Sequence, residues 1–404
     1  MVLCPHFAPD TAPTGTVMTR IVEELAARDH DVHVVTSLPW YRSHTVEEGW
    51  GGRLVRVERT EWGSITRLHP FPAPDKSNLL RRAIGFVAFS LLAGVAGLSA
   101  GGWFRRASAV VTMSPPLTLG PVGWLVSRIR RAPYVFNVQD VFPDAAVTTG
   151  AITNERVIAV AEWLERLTYD LADAVTVLSD GLAANVRSKT RSPDAVQVIP
   201  NFVDTDTIVP LDRRTALRRE LGLGPGPVVL YAGNVGLSQS LDLVVGAARR
   251  MPAVTFLVNG DGAARRSLEE EAAALANLRF NGYVEPDRLA ELLATGDVHV
   301  VPLRTGLGTV SVPSKTYSIL AAARPVVASI DAGTAVPSIL EDSGAGVSVP
   351  PDDLDAFVDA LEKMLDEPTE AAAMGARGRE WVEREASPGA VGDAYDDLIR
   401  ALGT

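Results

Sequence analysis

The 404-residue sequence predicts an α/β protein built from two doubly wound, Rossmann-like domains. Three observations predict it. Apolar strand-like runs alternate with helical periodicity along nearly the whole chain, the pattern of parallel sheets with crossover helices. The length exceeds one ordinary core, so two domains of roughly 200 residues are the default. A proline- and acid-rich segment, PNFVDTDTIVP at 200–210, interrupts the rhythm, and the cycle then restarts. The expected division is a first domain at 1–205, a second at 206–387, and an amphipathic helix at 388–404 that packs back on the first. Such domains face each other across a cleft, with ligands at the carboxyl ends of the strands.

Each element follows in order. VLCP opens the first strand, and a helix from about Thr16 to Arg28 carries apolar residues at 17, 18, 21, 22, 25 and 26. DVHVVTS comes next, then a polar excursion containing GRLVRVERT, then the strands AVVTMS, YVFNVQD, AVTVLS and VQVIP. After GLGPGP the second cycle reads VVLYAG, a helix from about Ser240 to Arg250, VTFLVNG, a helix, LRFNGY, a helix, HVVPL, a short Ala-rich helix, PVVASI and GVSVP.

One stretch departs from this rhythm. Residues 83–104, AIGFVAFSLLAGVAGLSAGGWF, form 22 residues without a charge. By length the run can cross a bilayer, which takes roughly 20 apolar residues. Its Gly and Ser content, and the strand AVVTMS that follows at once, favour a helix lying on the first domain between the Arg81-Arg82 and Arg105-Arg106 pairs, in contact with the lipid surface. A plain core helix is the other reading.

Charge is uneven. Residues 1–200 hold 20 basic and 19 acidic residues, and the remainder 18 and 30, for a total of −11. That balance argues against nucleic acid and makes the first half the one suited to an anionic membrane. One cysteine, Cys4, excludes an internal disulfide framework, and the six histidines show no metal-ligand spacing. The chain opens on VLCP without a basic start or a cleavage site, so the expected address is cytoplasmic.

Residues 308–333, GTVSVPSKTYSILAAARPVVASIDAG, carry the sharpest chemical signal. Ser314 is a good N-cap type, and Lys315 puts an ammonium beside the free N–H groups of a helix start, which suits a phosphate. The helix stops near Ala323, because Arg324 precedes a proline. An ordinary α/β unit with a surface lysine is the bland reading of the same residues.

The loop PHFAPDTAPTG, NVQDVFPD at 137–144, VIPNFVDT at 198–205, YAGNVG at 231–236, NGDG at 259–262 and PSKTYSILAAARPVVAS occur in one order. Together they resemble glycosyltransferase family 4, of the GT-B fold, in the branch that builds capsule, O-antigen and colanic-acid-like polysaccharides. The resemblance implies retaining, metal-independent transfer of a sugar from a nucleotide diphosphate donor, a UDP-sugar by expectation, held in the second domain. It further implies a glycan or polyprenyl-linked glycan acceptor in the first domain, no cofactor beyond the nucleotide-sugar substrate, and work at the inner face of the plasma membrane. A departing nucleoside diphosphate develops negative charge, and without a metal it needs fixed cations and N–H dipoles. Lys315 and Arg304 can supply the cations.

The remaining candidates have two readings each. Gly15 either brings backbone to the donor phosphates or makes a turn. Gly233 and Gly236 flank Asn234 in a possible phosphate nest, and Gln239 is the nearest polar residue where the family often has an Arg and this chain has Leu237. Gly260 and Asp261 bind the donor or form a common turn. Asp140 handles the acceptor hydroxyl or caps the turn at Pro143, and Trp40, Tyr41, Arg42 and Trp62 stack an acceptor or pack a loop. The family's paired Glu residues fall on Val310 and Ser318, so Tyr317 or Ser318 would have to hold the donor ribose with fewer acceptor lone pairs. Gln139 stands where many members have a His. A nucleotide-sugar 2-epimerase on the same fold and a non-catalytic sugar-nucleotide binder are the competing functions.

Overall fold

A computed structural model describes residues 1–42, 44–72, 79–103, 105–144, 147, 152–307 and 313–403. Val310 lies outside them. The chain divides into two compact units, Met1–Asn201 with Val391–Thr404, and Phe202–Ala390.

The first unit contains the elements β1 (Val2–Leu3), α1 (Pro13–Ala26), β2 (Val32–Ser37), β3 (Val55–Thr60), β4 (Gly63–Leu68), α2 (Leu79–Ser99), β5 (Val110–Ser114), α3 (Leu119–Arg130), β6 (Tyr134–Val138), α4 (Glu155–Leu171), β7 (Ala174–Val177), α5 (Asp180–Lys189) and β8 (Val196–Val198). Its eight strands run in the order β3-β4-β2-β1-β5-β6-β7-β8, parallel except for β3, which pairs antiparallel with β4. Strand order reverses at β1, which pairs with both β2 and β5, and such a point opens a crevice at the carboxyl end of the sheet. α1 begins three residues before the expected Thr16, because Pro13 sits in its first turn, where a missing N–H costs nothing.

α2 lies on this sheet against α3. Gly94 and Gly97 let it approach Val122 and Val126, and Ser90 bonds Thr118 at 2.7 Å. Phe89, Ala93 and Ala96 are buried, whereas Ile84, Val87, Leu91 and Val95 are exposed along the opposite face at helical spacing. Among the described residues no helix is long and apolar enough to cross a membrane.

The second unit contains α6 (Ala216–Glu220), β9 (Val228–Ala232), α7 (Asp242–Arg250), β10 (Thr255–Asn259), α8 (Arg265–Glu271), β11 (Leu278–Asn281), α9 (Leu289–Thr295), β12 (Val298–Pro302), α10 (Lys315–Ala321), β13 (Val326–Ser329), α11 (Ala335–Ser343), β14 (Gly346–Val349), α12 (Leu354–Asp366) and α13 (Pro368–Glu385). Six parallel strands run β11-β10-β9-β12-β13-β14, with the reversal at β9. Val228–Leu230 and Val298–Val301 are fully buried, as strands covered by helices on both faces must be.

The segment after residue 201 joins the second unit rather than ending the first. Val203 N–H bonds the Ala386 carbonyl at 3.0 Å, and Arg379 gathers the carbonyls of Thr205, Ile208 and Ala321 at 2.7–2.9 Å. The last helix, α14 (Pro388–Gly403), returns to the first unit. Tyr395 Oη meets Asn137 at 2.7 Å and Thr176 at 3.2 Å, while Arg28 and His30 bond Asp393 and Asp396.

Candidate active site

The carboxyl end of the second sheet gathers several of the predicted residues. β9 runs straight into Gly233, and β10 into Gly260. Gly233 has φ +142° and Gly260 φ +140°, conformations that side-chain-bearing residues rarely adopt. A Cβ on Gly260 would overlap the carbonyl oxygen of Gly233. The two loops are therefore pressed together, and backbone bonds lock them: Gly233 N–H to Asn259 O and Val235 N–H to Asp261 O, each 2.9 Å. Asp261 forms the turn by accepting the Gly262 N–H at 2.7 Å, and its carbonyl also accepts Tyr283 Oη at 3.1 Å. Gln239 accepts the Gly236 N–H through Oε1 at 3.0 Å.

Lys315 enters this cluster from the first position of α10. Its ammonium donates to Tyr231 Oη at 2.7 Å and lies 3.9 Å from that ring's centroid, and Tyr231 Oη donates onward to the Asn234 carbonyl at 2.5 Å. A Cβ on Gly233 would come within 3.0 Å of Lys315 Nζ, so the glycine leaves the ammonium its space. The residue is half-buried, yet its amine is desolvated enough to bring the pKa down to about 7, and no neighbouring charge enters that shift. A cation held without a carboxylate among the described residues, beside glycine-lined backbone at the reversal point of a parallel sheet, is arranged for an anionic ligand.

Three expectations about this end of the sheet need correction. Ser314 does not cap the helix: its backbone is already helical, with φ −56° and ψ −24°, and its side chain makes no cap bond. Tyr317 is a core residue, buried and stacked on Trp381 at 6.3 Å, so it does not face a ribose. Arg304 is not an open cation. Its guanidinium bonds the Leu237 carbonyl and Asp242 at 3.0 Å each and lies 3.7 Å from Asp352, so it clamps the 237–242 turn. Ser318 shares the half-exposed face of α10 with Lys315, one turn on, and keeps only a hydroxyl where the family's Glu would stand.

In the first unit Gly15 is also not a loop glycine. It lies inside the first turn of α1, and a Cβ there would press to 2.9 Å on His6 Cβ, so its small size serves packing. Asp140 follows β6 and is exposed, and its carbonyl accepts Ser114 Oγ at 3.2 Å. Partial desolvation still lifts its carboxyl above the usual aspartate pKa. Gln139 is buried with both ends of its amide engaged: Nε2 donates to Asn137 at 2.8 Å and Oε1 accepts from Asn201 at 3.0 Å. It links β6 to the Asn137–Tyr395 contact, which explains an amide in place of an imidazole there.

Sequence reasoning passed over Tyr231 and the Asp352 cluster, where Thr305 donates to Asp352 Oδ2 through N–H and Oγ1 at 3.0 and 2.8 Å. It also passed over the contact between His6 and Asp10 in the quoted PHFAPD loop, whose Nδ1 and Oδ2 lie 2.6 Å apart. Among the described residues no three His, Cys, Asp or Glu side chains gather as a metal site.

Comparison with known proteins gives the site its class. Residues 14–201 match the family model described as a glycosyl transferase 4-like domain, and residues 226–367 match glycosyl transferases group 1. The chain belongs to the GT-B glycosyltransferases of family 4 and is an enzyme of that class. It is 26% identical over 371 residues, 89% of this chain and 90% of the other, to WcaI of Escherichia coli K12, described as a colanic acid biosynthesis glycosyl transferase. It is 30% identical over 54% of its length, and 59% of the other's, to a GDP-mannose-dependent phosphatidylinositol monomannoside mannosyltransferase of Mycolicibacterium smegmatis. Its fold matches a sucrose-phosphate synthase from Thermosynechococcus elongatus with a TM-score of 0.73 at 20% identity, covering 99% of this chain and 98% of the other.

Proposed function

We propose that this glycosyltransferase moves a sugar, with retention and without a metal, from a nucleotide diphosphate donor, a UDP-sugar in the first instance, to a lipid-linked glycan during cell-surface polysaccharide assembly. The observation that carries the reading is the Lys315 ammonium, desolvated and without a carboxylate partner among the described residues, beside the Gly233 and Gly260 turns. A donor pyrophosphate placed there pairs with the ammonium, and the extra charge that develops as the glycosidic bond breaks strengthens that pair. The Tyr231 hydroxyl orients the ammonium and the Arg304 clamp holds the neighbouring turn. Thermal stabilisation by UDP-, GDP- and dTDP-sugars tests the reading: one nucleotide series raises Tm in the wild type and not in Lys315→Ala. The WcaI likeness supports the polysaccharide assignment and the mannosyltransferase likeness the lipid-linked acceptor, while its GDP-mannose makes GDP the competing base.

The pKa of Lys315 gives this site a pH signature. In the free protein the amine is charged below about 7 and neutral above it. An anionic diphosphate requires the charged form, so binding above pH 7 must first take up a proton. The dissociation constant of UDP is expected to rise by roughly tenfold per pH unit between pH 7.5 and 9. Calorimetry measures the slope, and Lys315→Met should flatten it.

The first unit supports a peripheral place on the cytoplasmic membrane face. Ile84, Val87, Leu91 and Val95 form an exposed apolar row on α2, with Leu125 and Ile129 exposed on the adjoining α3, and Arg81, Arg105 and Arg106 are exposed at its ends. A row of this kind buries apolar surface in the headgroup boundary while arginines meet anionic lipid. The protein is expected to sediment with vesicles of phosphatidylglycerol far more than with phosphatidylcholine, and the double variant Leu91→Asp, Val95→Asp to remain in the supernatant.

A further inference from the structure

The sheet of the first unit ends on an open strand. Among the described residues β3 pairs only with β4, so its other side carries backbone N–H and C=O groups free to take a further strand. Proteins commonly cover such an edge. Here every residue from Gly51 to Val57 is exposed, with Leu54 at 62%, Val55 at 44% and Val57 at 64%. The segment is the GRLVRVERT of the polar excursion, which the donor chemistry leaves unused.

The ladder with β4 decides which backbone groups face outward. Val55 sits opposite Leu68, and the Leu54 carbonyl accepts the His69 N–H at 2.9 Å. Hydrogen-bonded and non-hydrogen-bonded positions alternate along an antiparallel pair, so Leu54, Arg56, Glu58 and Thr60 turn their backbone groups to β4. Val55, Val57 and Arg59 turn theirs to the open side. A second β3 laid antiparallel about a two-fold axis at Val57 meets them in register. Val57 then faces Val57 of the second copy, Val55 faces Arg59 of the second copy, and every facing position is a hydrogen-bonding one.

Charge selects the same register. Arg56 and Glu58 stand at equal distances along the chain from Val57, and so do Arg53 and Glu61. Two-fold pairing therefore sets Arg56 against Glu58 of the second copy and Arg53 against Glu61 of the second copy, on both sides of the axis. Sliding the copies to the next hydrogen-bonding register sets Arg56 against Arg56 in one direction and Glu58 against Glu58 in the other. Like charges directly opposed destabilise a sheet. Within the chain Glu58 lies 3.3 Å from Arg56 and 3.1 Å from the buried Arg67, which holds its carboxylate on the face where a second Arg56 arrives. Among the described residues Arg53 and Glu61 have no ion-pair partner. This match of the segment to itself points to a second copy, because an unrelated strand would not share the symmetry.

We propose that the protein forms a two-fold dimer through β3, joining two eight-stranded sheets into one continuous sheet. The outward groups of Val55, Val57 and Arg59 supply the hydrogen bonds. Val57 packs on its counterpart and the Arg59 stem lies over Val55, while the two kinds of charge pair fix the register and disfavour other edges.

Sedimentation velocity of the full chain over a concentration series tests the dimer, in the Leu91→Asp, Val95→Asp background so that the apolar row of α2 cannot hold copies together. This parent is expected to pass from monomer to dimer as concentration rises. Val57→Pro removes an outward N–H and leaves the β4 ladder whole, a position where an edge strand tolerates proline. It should melt within about 4 °C of the parent and sediment as a monomer. Arg53→Glu and Glu61→Arg each oppose like charges across the axis and should raise the dimer Kd by about tenfold or more. Mixed in equal amounts, these two variants regain opposite charges on both sides and should form a heterodimer with close to the parent Kd. A parent that stays monomeric, a dimer that survives Val57→Pro, or charge variants that associate no better mixed than alone overturns the proposal. If Val57→Pro does not fold, the charge variants decide it.

Discussion

Replacing Lys315 with alanine is expected to lower kcat/KM for nucleotide-sugar turnover by about 2 to 4 kcal/mol, roughly 30- to 1,000-fold. Among the described residues the ammonium has no carboxylate in contact, so its removal strands no opposite charge there, and Tyr231 Oη keeps its bond to the Asn234 carbonyl. The sign of the stability effect follows from the pKa. An amine whose folded pKa is lowered from 10.5 to about 7 weakens the fold most fully below pH 7, and that cost fades as pH rises from 7 toward 10.5. Lys315→Ala at pH 6.5 should therefore melt at the same temperature as the wild type or higher, while turnover collapses. Steady-state kinetics and differential scanning calorimetry check the two halves. A fall in both together would mean that the lysine serves the fold.

The second large effect belongs to Gly260→Ala. The new Cβ would overlap the Gly233 carbonyl, a backbone atom that cannot swing aside, at a φ of +140° that alanine rarely adopts. Separating the loops would break the Gly233–Asn259 and Val235–Asp261 bonds that shape the ground under Lys315. A destabilisation of about 3 kcal/mol or more is expected, a fall of roughly 6 to 12 °C for a unit of this size. Donor affinity should fall with it. A melting temperature within about 2 °C of wild type would show that the loops are not pressed together as described.

Periodicity made most of the architecture legible. The alternation of buried runs such as VVLYAG and HVVPL with amphipathic stretches predicts both parallel sheets, and the apolar half of α2 reads directly as a helix lying on the sheet. What resisted reading was fixed by distant partners. Tyr317 looked available because a seven-residue Ala-rich helix does not announce its inner face, and Trp381, which stacks on it, lies 64 residues further on. Arg304 looked free because Asp242 and Asp352 reach it only through the sheet's loop geometry. Gln139 looked like a lost catalytic residue, whereas Asn137, Asn201 and Tyr395 give it a structural reason that no local motif carries. His6 and Asp10 lay within a quoted motif and were missed because four-residue spacing signals a shared face only in a helix, and this loop is not one.

The central claim is that the Lys315 amine is neutral at alkaline pH in the free protein and becomes charged when a nucleoside diphosphate arrives. Calorimetry of UDP and GDP binding at pH 8, in buffers of different ionisation enthalpy, measures that protonation directly. The account predicts an uptake of close to one proton by the wild type and none by Lys315→Met. Binding without proton uptake, or equal uptake in both proteins, would contradict it.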